Sequence, residues 1–351
     1  MPTCTVQYLQ DLAAELFVRS GAPQSEARVV AEALVRADMM GMPSHGVLRV
    51  VQYVKDAQEK SIVPGAKLVV KELSPTASLG VDAQWNFGQV AAMRAVELAL
   101  ATAKGHGMGS ASVRRCRHVG RLGAYTERAA RAGFAALASC STAGEGHWVA
   151  PYGGRQGRLG TNPISFAAPT GGDPLLLDFS TASLPEGRVR LLRDTGRPLP
   201  ADALLDERGE PSRNPADLYA ADGSAAGAIT PFGGEQGYKS YGLALAAAIL
   251  SSFLGGAAWR EEGIESHANT MWILVIDVGQ LMDLGHFIGE IDELLDYVRS
   301  AAPAAGSEGV LVPGQREYAA LRRSEQEGIA VDEGVWQQLV ELAEELGVEW
   351  Q

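Results

Sequence analysis

A serine, a histidine, an arginine and a tyrosine follow one another closely in Ser44-His45-Gly46-Val47-Leu48-Arg49 and Tyr53. A helix starting at Ser44, capped by its hydroxyl after Pro43, would set His45, Arg49 and Tyr53 four residues apart on one stripe. That stripe offers a proton donor, a fixed cation and a phenol. Histidine moves protons near neutral pH because its unperturbed pKa is about 6.5, and arginine holds a carboxylate through two parallel hydrogen bonds. On spacing alone, a surface helix with a capping serine and a chance His and Arg is the stronger reading.

A second histidine falls in Arg117-His118-Val119-Gly120-Arg121-Leu122-Gly123, where a β-rich run gives way to a helical one. Glycines at a helix N-terminus let backbone N–H groups reach a phosphate, with the helix dipole adding to the attraction; a capping or packing histidine accounts for His118 equally well. Polar clusters close two further strand-like runs: Gly153-Gly154 with Gly160-Thr161-Asn162-Pro163, and Leu177-Asp178-Phe179-Ser180-Thr181-Ala182-Ser183. Strand ends are where ligand-binding loops usually sit, although turn chemistry alone explains either cluster. Gly233-Gly234-Glu235-Gln236-Gly237-Tyr238-Lys239 adds a lysine suited to a ligand phosphate, and Val312-Pro313-Gly314-Gln315-Arg316 adds a Pro-Gly turn.

Several chemistries lack their signatures. The six histidines form no His-Glu-x-x-His and no i, i+4 pair, which leaves zinc hydrolysis without a ligand set. No Gly-x-Ser-x-Gly elbow, P-loop or Gly-x-Gly-x-x-Gly between strand and helix occurs, so serine hydrolysis, phosphoryl transfer and Rossmann dinucleotide binding have no support. The net charge of −12 argues against a nucleic-acid groove. Most of it lies at one end: His286 to Gln351 holds 14 acidic residues against 4 arginines, leaving −2 for the preceding 285. The rest of the chain is nearly balanced, and its active site is expected to be locally positive. Cys4, Cys116 and Cys140 are far apart and read as ordinary thiols. No apolar run approaches the roughly 20 residues of a membrane helix, and no secretory signal follows Met1, so a cytoplasmic protein with no membrane partner is expected.

The elements that must position these residues are legible in outline. With 351 residues, 46% of them hydrophobic, the chain has ample core for about two domains on the usual prior. Apolar stripes predict helices over Leu9–Phe17 and Val29–Ala37 before the one expected at Ser44. From Lys67 the texture alternates. Strands are expected over Lys67–Leu73, Thr76–Val81, Ser110–Arg114, Phe134–Ser139, Ile164–Ala168, Leu175–Phe179 and Thr270–Val278, with helices over Phe87–Lys104, Arg121–Ala132 and Lys239–Phe253. The polar stretch from about Arg188 to Gly234 reads as an ordered excursion. Helices over Phe287–Ser300, Tyr318–Glu327 and Val335–Leu346 follow. The alternation indicates an α/β (α+β layered) fold. Glycine, 41 of 351 or about 12% against a typical ~7%, implies tight turns or backbone that approaches something closely.

Taken in order, these segments resemble the malate/L-lactate dehydrogenase family that is unrelated to the Rossmann-fold enzymes of similar name. The resemblance runs from Ala37-Asp38, Gly41, Ser44-His45-Gly46 and Arg49 through Trp85-Asn86-Phe87-Gly88 and His118-Val119-Gly120. It continues in Ala150-Pro151-Tyr152-Gly153-Gly154 and Gly160-Thr161-Asn162-Pro163, and closes with Gly237-Tyr238-Lys239 and Pro313-Gly314. It implies a homodimer and a non-Rossmann mixed sheet flanked by helices. An N-terminal helical region over 1–72, carrying the catalytic histidine, would pack with C-terminal helices over 313–351, and 73–312 would form the domain binding NAD or NADP. By the same resemblance, His45 donates the proton, Ser44 orients it and Arg49 holds the substrate carboxylate. Tyr53, Thr161, Glu186 and Gly187 would stand on the substrate side. His118, Val119, Gly120, Arg121, Leu122, Asp178, Phe179, Ser180, Lys239, Pro313 and Gly314 would line the cofactor.

The chain departs from the family pattern in three places. Arg115-Cys116-Arg117 replaces an Asn-Ser ahead of the second histidine, which makes Arg115 and Arg117 candidates for the 2′-phosphate of NADP. Cys140-Ser141 replaces a Thr-Asn and leads into Ala143-Gly144-Glu145-Gly146-His147-Trp148. Arg188 falls near the position where a cyclic-imine reductase of the family has an acidic residue, and a cation there repels a protonated imine. The expected reaction is therefore the interconversion of a small anionic 2-oxo acid and its 2-hydroxy acid. Reduction of a cyclic imino acid, or nucleotide binding without turnover, stand as alternatives.

Overall fold

Apolar residues at helical spacing organise the N-terminal segment. The computed structural model describes residues 1–74, 77–144, 146–257 and 268–349; Thr76, expected in a strand, and Glu145 lie outside them. After β1 (Thr3–Cys4), the Thr5 hydroxyl accepts the Tyr8 N–H and starts α1 (Val6–Arg19). α2 (Gln24–Met39) and α3 (Arg49–Gln58) follow. Leu9, Leu16 and Phe17 of α1 meet Val30 and Leu34 of α2 and Val50 and Val54 of α3 in one buried cluster. Each such fully buried side chain contributes about 1.5–3 kcal/mol.

The central layer is a seven-stranded sheet. Its elements are β2 (Val69–Ser74), β3 (Ser78–Asp82), α4 (Gly88–His106), β4 (Met108–Cys116), α5 (Gly123–Arg131), β5 (Phe134–Thr142), β6 (Ile164–Ala168) and β7 (Leu175–Phe179). An excursion comprising α6 (Glu186–Asp194), β8 (Leu204–Leu205), β9 (Pro211–Ser212) and β10 (Ala228–Ile229) follows, and then α7 (Gly237–Ala248) and β11 (Asn269–Asp277). The sheet order is β2-β3-β4-β11-β5-β6-β7; β3 and β4 run parallel across α4, and the other neighbours are antiparallel. This is the expected mixed, non-Rossmann sheet. The polar stretch is ordered, with β8, β9 and β10 forming a small sheet over a core that includes Val149, Leu192, Leu204 and Leu218.

The chain closes with α8 (Val278–Leu281), α9 (Leu284–Arg299), α10 (Gln315–Glu327), β12 (Ile329–Ala330) and α11 (Glu333–Leu346). β12 pairs with β1, and Tyr318, Leu321, Leu339 and Leu342 enter the same cluster as α1 to α3. The three cysteines are free and buried.

Candidate active site

The predicted chemistry sits on the connection between α2 and α3. Pro43 opens a short 3-10 turn, Pro43–His45, and the backbone leaves the helical region at Gly46 (φ −92°, ψ −155°). Helix α3 therefore begins at Arg49, not at Ser44 as the spacing predicts. The cause is Asp38 of α2. Its Oδ2 accepts the Val47 N–H at 2.7 Å, and its Oδ1 lies so near Gly46 that a Cβ there would fall 1.9 Å away. A continuous helix could not make this approach. His45 thus lies off the helical stripe that Arg49 and Tyr53 share, yet the turn is tied to that helix: Arg49 Nε donates to Ser44 O at 2.9 Å and Nη1 to Gln52 Oε1 at 2.8 Å. Ser44 Oγ lies 3.0 Å from His45 Nδ1 and fixes the ring.

His118 reaches the site from the end of β4. The Trp85 N–H bonds Arg115 O at 2.7 Å, and a Cβ on Gly88 would fall 2.2 Å from Arg117 O and 2.4 Å from His118 O. The segment Trp85-Asn86-Phe87-Gly88 is therefore the seat of the His118 loop. The His118 ring stacks on His45, with centroids 5.5 Å apart and planes 22° from parallel. Tyr53 Oη lies 2.6 Å from His118 Nδ1 and accepts a bond from Gln89 Nε2 at 3.0 Å. Tyr53 thus links His118 Nδ1 to Gln89 and fixes the orientation of the ring.

Two cavities meet at His45. The larger, of about 620 Å³, is lined by His45, Gly120, Arg121, Leu122, Asp178, Phe179, Ser180 and Arg188 among others. The smaller, of about 110 Å³, is lined by Arg49, His118, Thr142, Gly146, Trp148, Glu186 and Asn269 among others. Ser44, His45, Thr161, Pro185 and Gly187 line both. His118 thus faces the small chamber rather than the large one. Tyr53 lines neither; it is 1% exposed beneath His118, and burial pushes its pKa up to about 12. Val119 is buried, its N–H bonded to Asn269 Oδ1 at 3.0 Å. Lys239 is exposed, with its ammonium over the Tyr238 ring and outside both chambers. Pro313 and Gly314 line a neighbouring depression that shares Met42 and Asp178 with the large chamber.

The candidate readers of a 2′-phosphate are engaged elsewhere. Arg115 grips Asp82 with Nε and Nη2, both at 2.8 Å, and Arg117 bonds Ser61 O and lies over the Trp85 ring. Neither lines a chamber. The expected positive excess is also absent. Among the described lining residues, Arg49, Arg121 and Arg188 stand against Asp38, Asp178, Glu186 and Asp332. Burial offsets this, raising Asp38 to about 7 and Asp178 to about 6 despite the Val47 and Gly123 N–H groups that bond their carboxylates. Burial, and then the Arg49 and Arg121 charges, lower His45 to about 3, so the imidazole is neutral. Sequence reasoning assigned no role to Asp38, Gln89, Trp148 or Asn269. The spacing of Asp38 from a required glycine is a usable signal; Asn269, at the start of a strand, carries none.

A histidine and an arginine face a small pocket that opens to a cleft large enough for a second and bigger ligand. The chain belongs to the malate/L-lactate dehydrogenase family, whose model matches residues 4–340. It is 30% identical over 341 residues to a malate dehydrogenase of Pyrococcus abyssi, covering 95% of this chain and 92% of the relative. It is 31% identical to an L-sulfolactate dehydrogenase of Methanocaldococcus jannaschii, covering 95% and 94%. Among solved structures, delta1-piperideine-2-carboxylate reductase from Pseudomonas syringae superposes with a TM-score of 0.85 at 30% identity, covering 98% of this chain and 100% of that one. The chain is accordingly an oxidoreductase of hydroxy or oxo acids, and its family implies a nicotinamide cofactor.

Proposed function

We propose that the protein interconverts a 2-oxo acid and its 2-hydroxy acid with NAD or NADP, His45 serving as the proton donor. The observation that carries this reading is the position of His45, which borders both the Arg49 chamber and the larger cleft. The cleft suits a dinucleotide. Its volume of about 620 Å³ lies within the ~300–1,000 Å³ of ligand pockets. Leu122 and Phe179 offer apolar surface for rings, and the exposed Arg188 offers a cation for a phosphate. The raised Asp38 and Asp178 lower the negative charge an anionic ligand would meet.

The bound cofactor would exchange hydride with the substrate carbon. Arg49 would take the substrate carboxylate, Ser44 would hold the imidazole in line, and His45 would pass a proton to the oxo oxygen. A carboxylate on Arg49 cancels a neighbouring positive charge and raises the proton affinity of His45, which favours the charged donor as substrate arrives. Arg188 is exposed, lines the large chamber and its guanidinium forms no ion pair or hydrogen bond among the described residues, which disfavours a protonated cyclic imine. A homodimer is supported by apolar side chains left exposed on α7 and the π-helical turn after it: Leu243, Ile249, Phe253 and Leu254 are 40%, 50%, 51% and 53% exposed. Residues 1–72 with 313–351 would act as one helical unit against a cofactor domain over 73–312. Purified protein assayed with NADH and NADPH against a panel of 2-oxo acids should consume the reduced cofactor; no loss of its absorbance with any acid refutes the proposal.

A further inference from the structure

We infer that Glu186 makes the small chamber selective for a 2-oxo or 2-hydroxy acid with a single carboxylate and a hydrogen-bond donor at its distal end, and turns away a second anionic group. This rests on the oxidoreductase reading above. Glu186 is the first residue of α6 and only 9% exposed. Its Oε1 is fully engaged, accepting bonds from Arg190 Nη2 at 2.9 Å and Tyr219 Oη at 2.9 Å. Its Oε2 has no hydrogen-bond partner among the described residues, although the side chain lines the chamber. That oxygen is therefore open to a donor brought by a ligand.

The charges of the chamber point the same way. Among its described lining residues, Arg49 is the one arginine or lysine and Glu186 the one carboxylate, while His45 is neutral. Arg49 spends Nε and Nη1 on Ser44 and Gln52, which leaves Nη2, turned toward Gly187, to draw in one substrate carboxylate. A second carboxylate or a sulfonate in a space of about 110 Å³ would find no further cation and would face Glu186. A distal hydroxyl would donate to Oε2 and satisfy it. Arg188 does not compensate, because it lies on the larger chamber.

The test compares three oxo acids of similar length in the nicotinamide assay: hydroxypyruvate, pyruvate and oxaloacetate. The wild-type protein should show the highest kcat/KM with hydroxypyruvate and the lowest with oxaloacetate, with about tenfold or more between them. Glu186→Gln keeps the shape and an acceptor for Arg190 but removes the charge. It should raise kcat/KM for oxaloacetate roughly tenfold and lower that for hydroxypyruvate severalfold. If the variant does not fold, the wild-type order stands as the test. A wild-type preference for oxaloacetate, or equal effects of Glu186→Gln on all three acids, overturns the inference and leaves the oxidoreductase reading intact. No turnover with any of the three overturns the inference, and the wider panel of 2-oxo acids then decides the oxidoreductase reading.

Discussion

Gly46→Ala is the most direct probe of how the catalytic turn is held. The backbone of Gly46 (φ −92°, ψ −155°) lies in extended space open to alanine, so any effect comes from contact rather than from backbone strain. The new Cβ would fall 1.9 Å from Asp38 Oδ1, roughly 1.5 Å short of van der Waals contact. Either Asp38 gives way, releasing the Val47 N–H, or the turn carrying Ser44 and His45 moves. Overpacking of this kind costs about 1–3 kcal/mol, and a displacement of about 1 Å in a catalytic group costs about 100-fold in rate. A fall in kcat of about 100-fold, with Tm lower by a few degrees, is the expected outcome in the nicotinamide assay and in thermal melting. Asp38→Ala alone should also slow turnover, because it strands the Val47 N–H. The double variant removes the clash, so its kcat should exceed the product of the two single effects by about fivefold or more. Wild-type kcat in Gly46→Ala, or strictly multiplicative effects in the double variant, would refute the clasp.

Further outcomes follow from the site. His45→Ala should abolish turnover while leaving cofactor affinity nearly unchanged, as read by fluorescence titration, and Arg49→Lys should raise the substrate KM about tenfold or more with a smaller change in kcat. In the ligand-free protein, the His45 ring signals should not titrate by NMR between pH 8 and pH 5, since burial and the neighbouring arginines lower its pKa to about 3. Because the unfolded chain takes up this proton at about 6.5, the contribution of His45 to stability should decline as pH falls from about 6.5 toward 3, and a His45→Gln variant should lose less stability over that window. Tyr53→Phe should cost about 1 kcal/mol in stability and lower kcat, because His118 Nδ1 and Gln89 both lose their partner.

Elements with a strong internal period were legible from the sequence. The strands over Ile164–Ala168 and Leu175–Phe179 have the predicted limits, since alternation and flanking turn residues bound them on both sides. The start of α3 was not legible, because a helical spacing of His45, Arg49 and Tyr53 looks the same whether the intervening residues are helical or held in a turn by a distant carboxylate. The partners of Arg115 were hidden for the same reason: a basic run reads as a phosphate site until Asp82, on a neighbouring strand, is seen to occupy it. The shape of the small chamber depends on Trp148, Asn269 and Glu186, three residues from distant segments that only the folded chain brings together.

The pairing of β1 with β12 has a consequence for how the protein is made. Thr3 and Cys4 lie against Ala330 and Ile329, and the cluster that supports the turn carrying His45 includes Leu339 and Leu342. The turn carrying His45 leaves the ribosome before α10 and α11, which hold some of its packing partners. Until they emerge, α1 to α3 hold apolar surface with no cover. The frame around His45 is therefore completed only once α11 has been made, and a chain truncated before α10 would carry Ser44, His45, Arg49 and Tyr53 and still lack part of the packing that holds them.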